Sequence, residues 1–249
     1  MVDRRNVFLT LAALGMAGGA LFLPALYTLG KWVAPGTPVA TTAHVPAVVR
    51  SAIWARAGGA GEPHVDPLTP WSFFAFVTCN VAAGPLSGSR DEERMRRERC
   101  LEDQAGILMA GQVSRLYMAT TNVSPSPRWA LSQGATMARL TREWDADKLL
   151  DTLAATSAFG RNKWRGIDQA SQAFFDKTAE QLTAAEAALL SVQIPDPAVL
   201  DPWCHPDRAR SERDEVLAKM KRNSALDTDS FESAVNAPLG VVAGNCVSR

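Results

Sequence analysis

Net charge is the first thing missing from this chain. Its 26 lysines and arginines are balanced by 26 aspartates and glutamates, so no global field draws it onto nucleic acid, and no basic patch interleaved with aromatics takes that role locally. Closely spaced cysteines are missing too. Cys79, Cys100, Cys204 and Cys246 show no Cys-x-x-Cys spacing, which argues against a zinc motif or a thioredoxin-type pair. His205, between Cys204 and Pro206, has no second Cys/His pair to complete a metal site, and no part of the sequence calls for a cofactor. Strand signals are scarce. What remains, 249 residues with 47% apolar content, is enough to bury one sizeable core without a metal or disulfide scaffold.

The first positive signal is at the N-terminus. Residues 1–6 include Arg4 and Arg5 and precede an uncharged run from Val7 to Gly30 that ends at Lys31. That length crosses a bilayer core of ~30 Å. A cleaved signal peptide has a shorter apolar region and a small-x-small exit, whereas this run continues through Leu21-Phe22-Leu23 and Leu26-Tyr27. The sequence therefore predicts an uncleaved transmembrane helix over 7–30, kinked at Pro24, which a membrane span tolerates. The two arginines place residues 1–6 in the cytoplasm and the rest of the chain outside it. A Pro/Gly/Thr/Ala stretch makes 31–44 a linker, and a folded domain begins near Val45.

From there the periodicity is helical. Helices are predicted over Val48 to Arg56, Trp71 to Ala82, Asp91 to Tyr117, Arg128 to Leu140, Asp145 to Ser157, Asp168 to Phe175, Thr183 to Val192 and Pro206 to Lys221. Thr183-Ala184-Ala185-Glu186 reads as a capping box. The densely charged run Arg90 to Arg99 reads as a solvated helix face. Trp129, Trp144, Trp164 and Trp203 each lie in or beside a helical pattern and read as packing anchors. Residues 227–249 lack periodicity and form an irregular tail. In an oxidising compartment the cysteines allow three pairings; Cys204 with Cys246 is preferred, because the tail needs tying down and neither residue sits in a strong helical pattern.

The segment from Phe159 to Met220 carries a resemblance. Phe159-Gly160-Arg161, Gly166-Ile167-Asp168-Gln169-Ala170, Phe174-Phe175-Asp176-Lys177, Leu182-Thr183 and Glu186-Ala187-Ala188-Leu189-Leu190 fall in order. Ile194-Pro195, Asp201-Pro202, Arg213, Val216-Leu217 and Met220 follow them. This pattern resembles the bacterial peptidoglycan glycosyltransferases (transglycosylases, glycosyltransferase family 51). Upstream the likeness thins. Asp147 to Ala155 lies where that family has Ile-Leu-Glu-x-Tyr-Leu-Asn, with Asp151 in place of the glutamate. Ala105-Gly106-Ile107-Leu108-Met109-Ala110-Gly111-Gln112 is a worn form of Gly-Gly-Ser-Thr-Ile-Thr-Gln-Gln.

The resemblance implies a mainly α, lysozyme-like fold over 45–226, preceded by one transmembrane helix and held on the periplasmic side of the bacterial inner membrane. It also implies a chemistry, joining lipid-linked disaccharide-peptides into glycan. A sugar hydroxyl is a poor nucleophile near neutral pH, and a positioned base contributes roughly 10²–10⁴-fold; charge building on the leaving pyrophosphate needs stabilisation. The family's base stands in Glu-Asp-x-x-Phe-x-x-His after a short apolar helix. Here Val45 to Ala55 fits the lead-in, but Ala57 and Gly58 stand at the Glu-Asp positions, with His64 and Asp66 as remnants of the motif's end. The second carboxylate closes Arg-Lys-x-x-Glu, and Arg128-Trp129-Ala130-Leu131-Ser132 ends in serine. Catalytic residues are therefore expected to be absent. Gln112, Arg115, Arg128 and Lys177 match family positions that face substrate, and imply a modest anion site without a base.

The reading is thus a non-catalytic binding or scaffold protein of the cell envelope. Its expected partners are the bilayer, a lipid-linked precursor or glycan strand, or a peptidoglycan synthase or other envelope-assembly protein. The alternative is an active glycosyltransferase with a relocated carboxylate such as Glu62. A lysozyme-like glycan hydrolase would also need a placed acid.

Overall fold

The computed structural model describes residues 24, 28, 36–69, 71–72, 104–121, 127–161, 163–194 and 197–246. The predicted span over 7–30, apart from Pro24 and Thr28, lies outside them, as do Cys79, Cys100, the charged run Arg90 to Arg99, and the Trp71 to Ala82 helix beyond Ser72. No helix among the described residues is long and apolar enough to cross a membrane. The described part is mainly helical.

Helix α1 (Ala47–Arg56) follows Pro46 and buries Val49, Ala52, Ile53, Trp54 and Ala55. Helices α2 (Ala105–Ala119) and α3 (Pro127–Glu143) pack on each other. Ser114 Oγ donates to Gln133 O at 2.8 Å and Gly111 faces Met137, a register that makes the pair antiparallel. Helix α4 (Ala146–Thr156) is capped by Asp145, whose carboxylate accepts from Lys148 N at 2.8 Å, and contacts α1, α2 and α5. A two-stranded hairpin follows, β1 (Ala158–Phe159) against β2 (Trp164–Arg165), then α5 (Ile167–Phe175).

Helix α6 (Ala184–Gln193) is the centre of the fold. It buries Ala185 and every residue from Ala187 to Gln193, the signature of a helix enclosed on all sides, and touches α1, α5, α7, α8 and β1. Leu189 and Leu190 are fully buried, each contributing about 1.5–3 kcal/mol of hydrophobic stabilisation. The predicted capping box is present: Glu186 N donates to Thr183 Oγ1 and Thr183 N to Glu186 Oε2.

Helix α7 (Pro206–Arg222) buries Ala209, Arg213, Val216, Leu217 and Met220, one stripe along a charged helix. Arg213 is 0% exposed and its guanidinium donates to Val235 O and Ala237 O at 3.0 and 2.9 Å, satisfying carbonyls at the end of the next helix.

Two expectations need correcting. The helix predicted from Asp91 to Tyr117 does not run unbroken, because Gln104 is non-helical and α2 starts at Ala105. The tail predicted as irregular contains α8 (Thr228–Asn236), capped by Asp227, which accepts from Ser230 N at 2.7 Å. Only Phe231, Ala234 and Val235 mark its inner face, too short a stripe to register as periodicity. Beyond α8 the chain is tied back by Cys204–Cys246, the preferred pairing.

Candidate functional site

The site is built where α1 ends. Ala57 caps α1, and the chain turns through Gly58 (φ +84°) and Gly61 (φ +59°), conformations open to glycine and strained for other residues. The turn lies flat on Trp54. A Cβ on Gly59 would sit 2.1 Å from that indole, and Trp54 Nε1 donates to Gly61 O at 3.1 Å. Asn223, just past α7, fastens the same turn from the other side, its Nδ2 donating to Gly59 O at 2.6 Å. The turn at the Glu-Asp positions is thus a packed element holding no carboxylate.

The chain then passes over the start of α2. A Cβ on Gly106 would meet His64 O at 2.7 Å and Val65 Cα at 3.0 Å, so glycine is required there by close backbone approach. A shallow cavity of about 30 Å³ results, lined by Trp54, Gly59, Ala60, His64, Asp66 and the first turn of α2. That is room for water rather than a sugar ring. His64 Nε2 and Asp66 Oδ2 are 3.8 Å apart, and both side chains are largely exposed, 62% and 76%; the imidazole stands edge-on to Trp54. Glu62 is exposed and does not line the cavity.

Ser132 is the residue expected at the second carboxylate position. Ser132 is 0% exposed and its carbonyl accepts from Thr136 Oγ1 within α3. This position faces the core. Asp151, at the glutamate of the family's helical motif, is engaged by Arg50: Nε to Oδ1 and Nη2 to Oδ2, both 2.7 Å. Arg50 also reaches Asp147 at 3.1 Å and His44 Nδ1 at 3.1 Å. The hydrogen bond to Asp151 raises the guanidinium pKa above its already high value, against the opposing effect of burial.

Of the residues expected to face substrate, Gln112 is half-buried and Arg115 exposed, both on α2. Arg128 is exposed in the first turn of α3, and the antiparallel register puts it at the same end of the pair as Arg115. Neither arginine has an ion pair among the described residues. Lys177 is placed elsewhere: it follows α5 and pairs with Glu186 at 2.6 Å. Burial pushes the Glu186 carboxyl up, but hydrogen bonds from Lys177 and Thr183 outweigh it and hold the group below the ordinary range. No His/Cys/Asp/Glu group able to hold a metal occurs among the described residues, and His205 is exposed. Trp144, Trp164 and Trp203 pack against the core as anchors.

Comparison with known proteins decides the family. Residues 106–221 match the family described as "Transglycosylase". Over this segment, somewhat under half of the chain, the protein is similar to the transglycosylase family. The transglycosylase segment opens at Gly106, so the glycine turn and cavity loop precede it. Penicillin-binding protein 1A of Mycobacterium tuberculosis is 41% identical over 97 residues, 39% of this chain and 12% of that protein. Penicillin-binding protein 1A of Aquifex aeolicus is 32% identical over 107 residues, 43% of this chain and 15% of that protein. The matched region thus spans only a small part of these relatives. The crystal structure of penicillin-binding protein 1A from Haemophilus influenzae superposes with a TM-score of 0.36 and 17% identity, covering 54% of this chain and 17% of that one; that score is too low to carry an argument.

Proposed function

We propose that this protein is a membrane-anchored, non-catalytic relative of the peptidoglycan glycosyltransferases, acting as a binding or scaffold protein on the periplasmic face of the inner membrane. One observation supports the reading: the turn at Ala57-Gly58, where the resemblance would put a general base, is pinned by Trp54 and Asn223 beside a cavity of about 30 Å³. A base must be held within hydrogen-bond reach of the sugar hydroxyl it deprotonates. His64 is fixed by Glu62 O at 3.0 Å and by the Trp54 ring, but Asp66 is 76% exposed and reaches only His64, at 3.8 Å, the opposite of a preorganised carboxylate.

The binding role rests on Gln112, Arg115 and Arg128, which share the α2–α3 surface. They lie towards the end of the α2–α3 pair away from the cavity and form a separate anion-facing surface, whose ligand is a lipid-linked precursor or glycan. Lys177 is a weaker contributor because Glu186 neutralises it.

The test is incubation of the detergent-purified full chain with lipid-linked disaccharide-peptide. No glycan polymer is expected, while Arg115→Gln with Arg128→Gln should weaken precursor binding several-fold. Polymer that disappears on Asp66→Asn or Glu62→Gln would overturn the reading.

A further inference from the structure

After α8, segment 237–246 crosses the fold as a strap. Arg213 holds its start at Ala237 O, and Gly240 passes beside Glu186. Val242 N donates to Phe174 O at 2.7 Å and Val242 O accepts from Trp203 Nε1 at 2.9 Å, so both main-chain groups of Val242 are engaged. Gly244 lies flat on the Trp203 ring, where a Cβ would be 2.2 Å from the indole. The segment then joins Cys204 through Cys246. From Val242 to Cys246 every residue is exposed, so this outer half inserts no side chain into the core. Two hydrogen bonds and one ring contact contribute modestly net of solvation, which leaves the disulfide as the main constraint keeping the outer half docked.

A second feature meets the same sulfur. Arg161 sits at the turn of the β1–β2 hairpin in the left-handed region, φ +57°, and its Nη1 donates to Cys204 Sγ at 3.5 Å. A guanidinium beside a sulfur stabilises its thiolate, and in thiol–disulfide exchange the sulfur with the more stable thiolate departs faster. Cys246 is exposed and Cys204 half-buried, so the accessible sulfur and the better leaving sulfur are on opposite sides of the bond.

We propose that Cys204–Cys246 is a redox latch whose reduction by a dithiol frees the strap from Trp203 while the domain stays folded. One thiolate of the dithiol attacks Cys246 Sγ, the S–S bond breaks, and Cys204 leaves as a thiolate beside Arg161. The second thiol of the reductant then displaces Cys246 from the mixed disulfide, so the dithiol is oxidised to its disulfide as both cysteines are reduced. Release uncovers the Trp203 indole, already packed with Phe174 at 4.4 Å and Trp164 at 5.4 Å. This latch does not depend on whether the transglycosylase segment is catalytic.

Hydrogen exchange of the detergent-purified full chain during dithiothreitol titration tests it. The Val242 amide, which donates to Phe174 O, should lose protection by about tenfold or more while those from Ala187 to Val192 keep theirs. Cys204→Ser with Cys246→Ser should show the released pattern without reductant, which separates this bond from any effect on Cys79 or Cys100. Arg161→Gln should slow reduction by about three- to tenfold, with Arg161→Lys restoring most of the rate. A Val242 amide that stays protected once both thiols are alkylated would overturn the latch, and so would parallel loss of protection in α6. Equal reduction rates for Arg161, Gln and Lys would remove Arg161 from the mechanism.

Discussion

The fork between Arg50 and Asp151 joins α1 to α4 across 101 positions of sequence, and its removal is the sharpest test of the packing described above. Both contacts are 2.7 Å, and the side chains are 17% and 13% exposed. Truncating one partner of a fully buried pair costs about 3–5 kcal/mol, because the survivor is left charged and unpaired; an exposed pair is worth about 0–1 kcal/mol. This pair lies nearer the buried limit, so Arg50→Met, which keeps the aliphatic stem, should cost about 2–3 kcal/mol. Asp151→Asn should cost somewhat less, since the amide oxygen still accepts one hydrogen bond. Asp147 is 65% exposed, and Asp147→Asn should stay within about 0.5 kcal/mol. Urea unfolding of the two single variants and the double variant gives a cycle whose coupling term should be about 1.5–2.5 kcal/mol at an unchanged m-value. A coupling below about 0.5 kcal/mol would mean that the fork is a surface contact and that α1 and α4 are joined by apolar packing alone.

Other perturbations follow from the same geometry. Gly59→Ala places a methyl 2.1 Å from the Trp54 ring and should destabilise by about 1–3 kcal/mol, read as a lowered urea midpoint; a neutral result would show that the turn is not packed on the indole. Asp176 ends α5 in the left-handed region at φ +55°, so Asp176→Gly should stabilise by about 0.5 kcal/mol despite losing the Gln172 contact, and thermal unfolding checks the sign. Glu186 is held below its ordinary value near 4.5. Its contribution is complete above that value and is lost as pH falls through the depressed folded value. The stability-versus-pH curve of Glu186→Gln should therefore be flatter over that acidic window, and parallel curves would refute the assignment.

What could be read from sequence was local. The capping box Thr183–Glu186 and the helices over Asp145 to Ser157 and Pro206 to Lys221 each lie within one helical turn or one helix, where residue type and spacing determine the outcome. The Cys204–Cys246 pairing was reachable because the surrounding chain is aperiodic. The site was legible only as an expectation carried by the resemblance, that Ala57, Gly58 and Ser132 stand where carboxylates would be. Its shape was not, because it depends on contacts between distant residues: Asn223 holds Gly59 across 164 positions, and Gly106 is demanded by the His64–Val65 backbone. Helix α8 escaped because one apolar triplet cannot establish a period. The fate of Lys177 was set by Glu186, a residue the capping box already explained.

Placing carboxylates where the resemblance expects them tests whether side chains or shape underlie the proposed lack of catalysis. If only side chains had changed, Ala57→Glu, Gly58→Asp and Ser132→Glu together would return polymerising activity to the chain. The packing argues against it. Gly58 is at φ +84°, where aspartate is strained, and Ser132 is 0% exposed, so a glutamate there would be ionised in the core or driven to protonate. Ser132→Glu alone should cost about 3 kcal/mol or more, and the combined variant should show no polymer from lipid-linked precursor, because the turn stays pinned by Trp54 and Asn223. Were Ser132→Glu tolerated within about 1 kcal/mol, or the combined variant active, position 132 would face a usable cleft and the turn could open. In that event inactivity would rest on the absent side chains alone, and the pinning of Gly59 and Gly61 would have no functional weight.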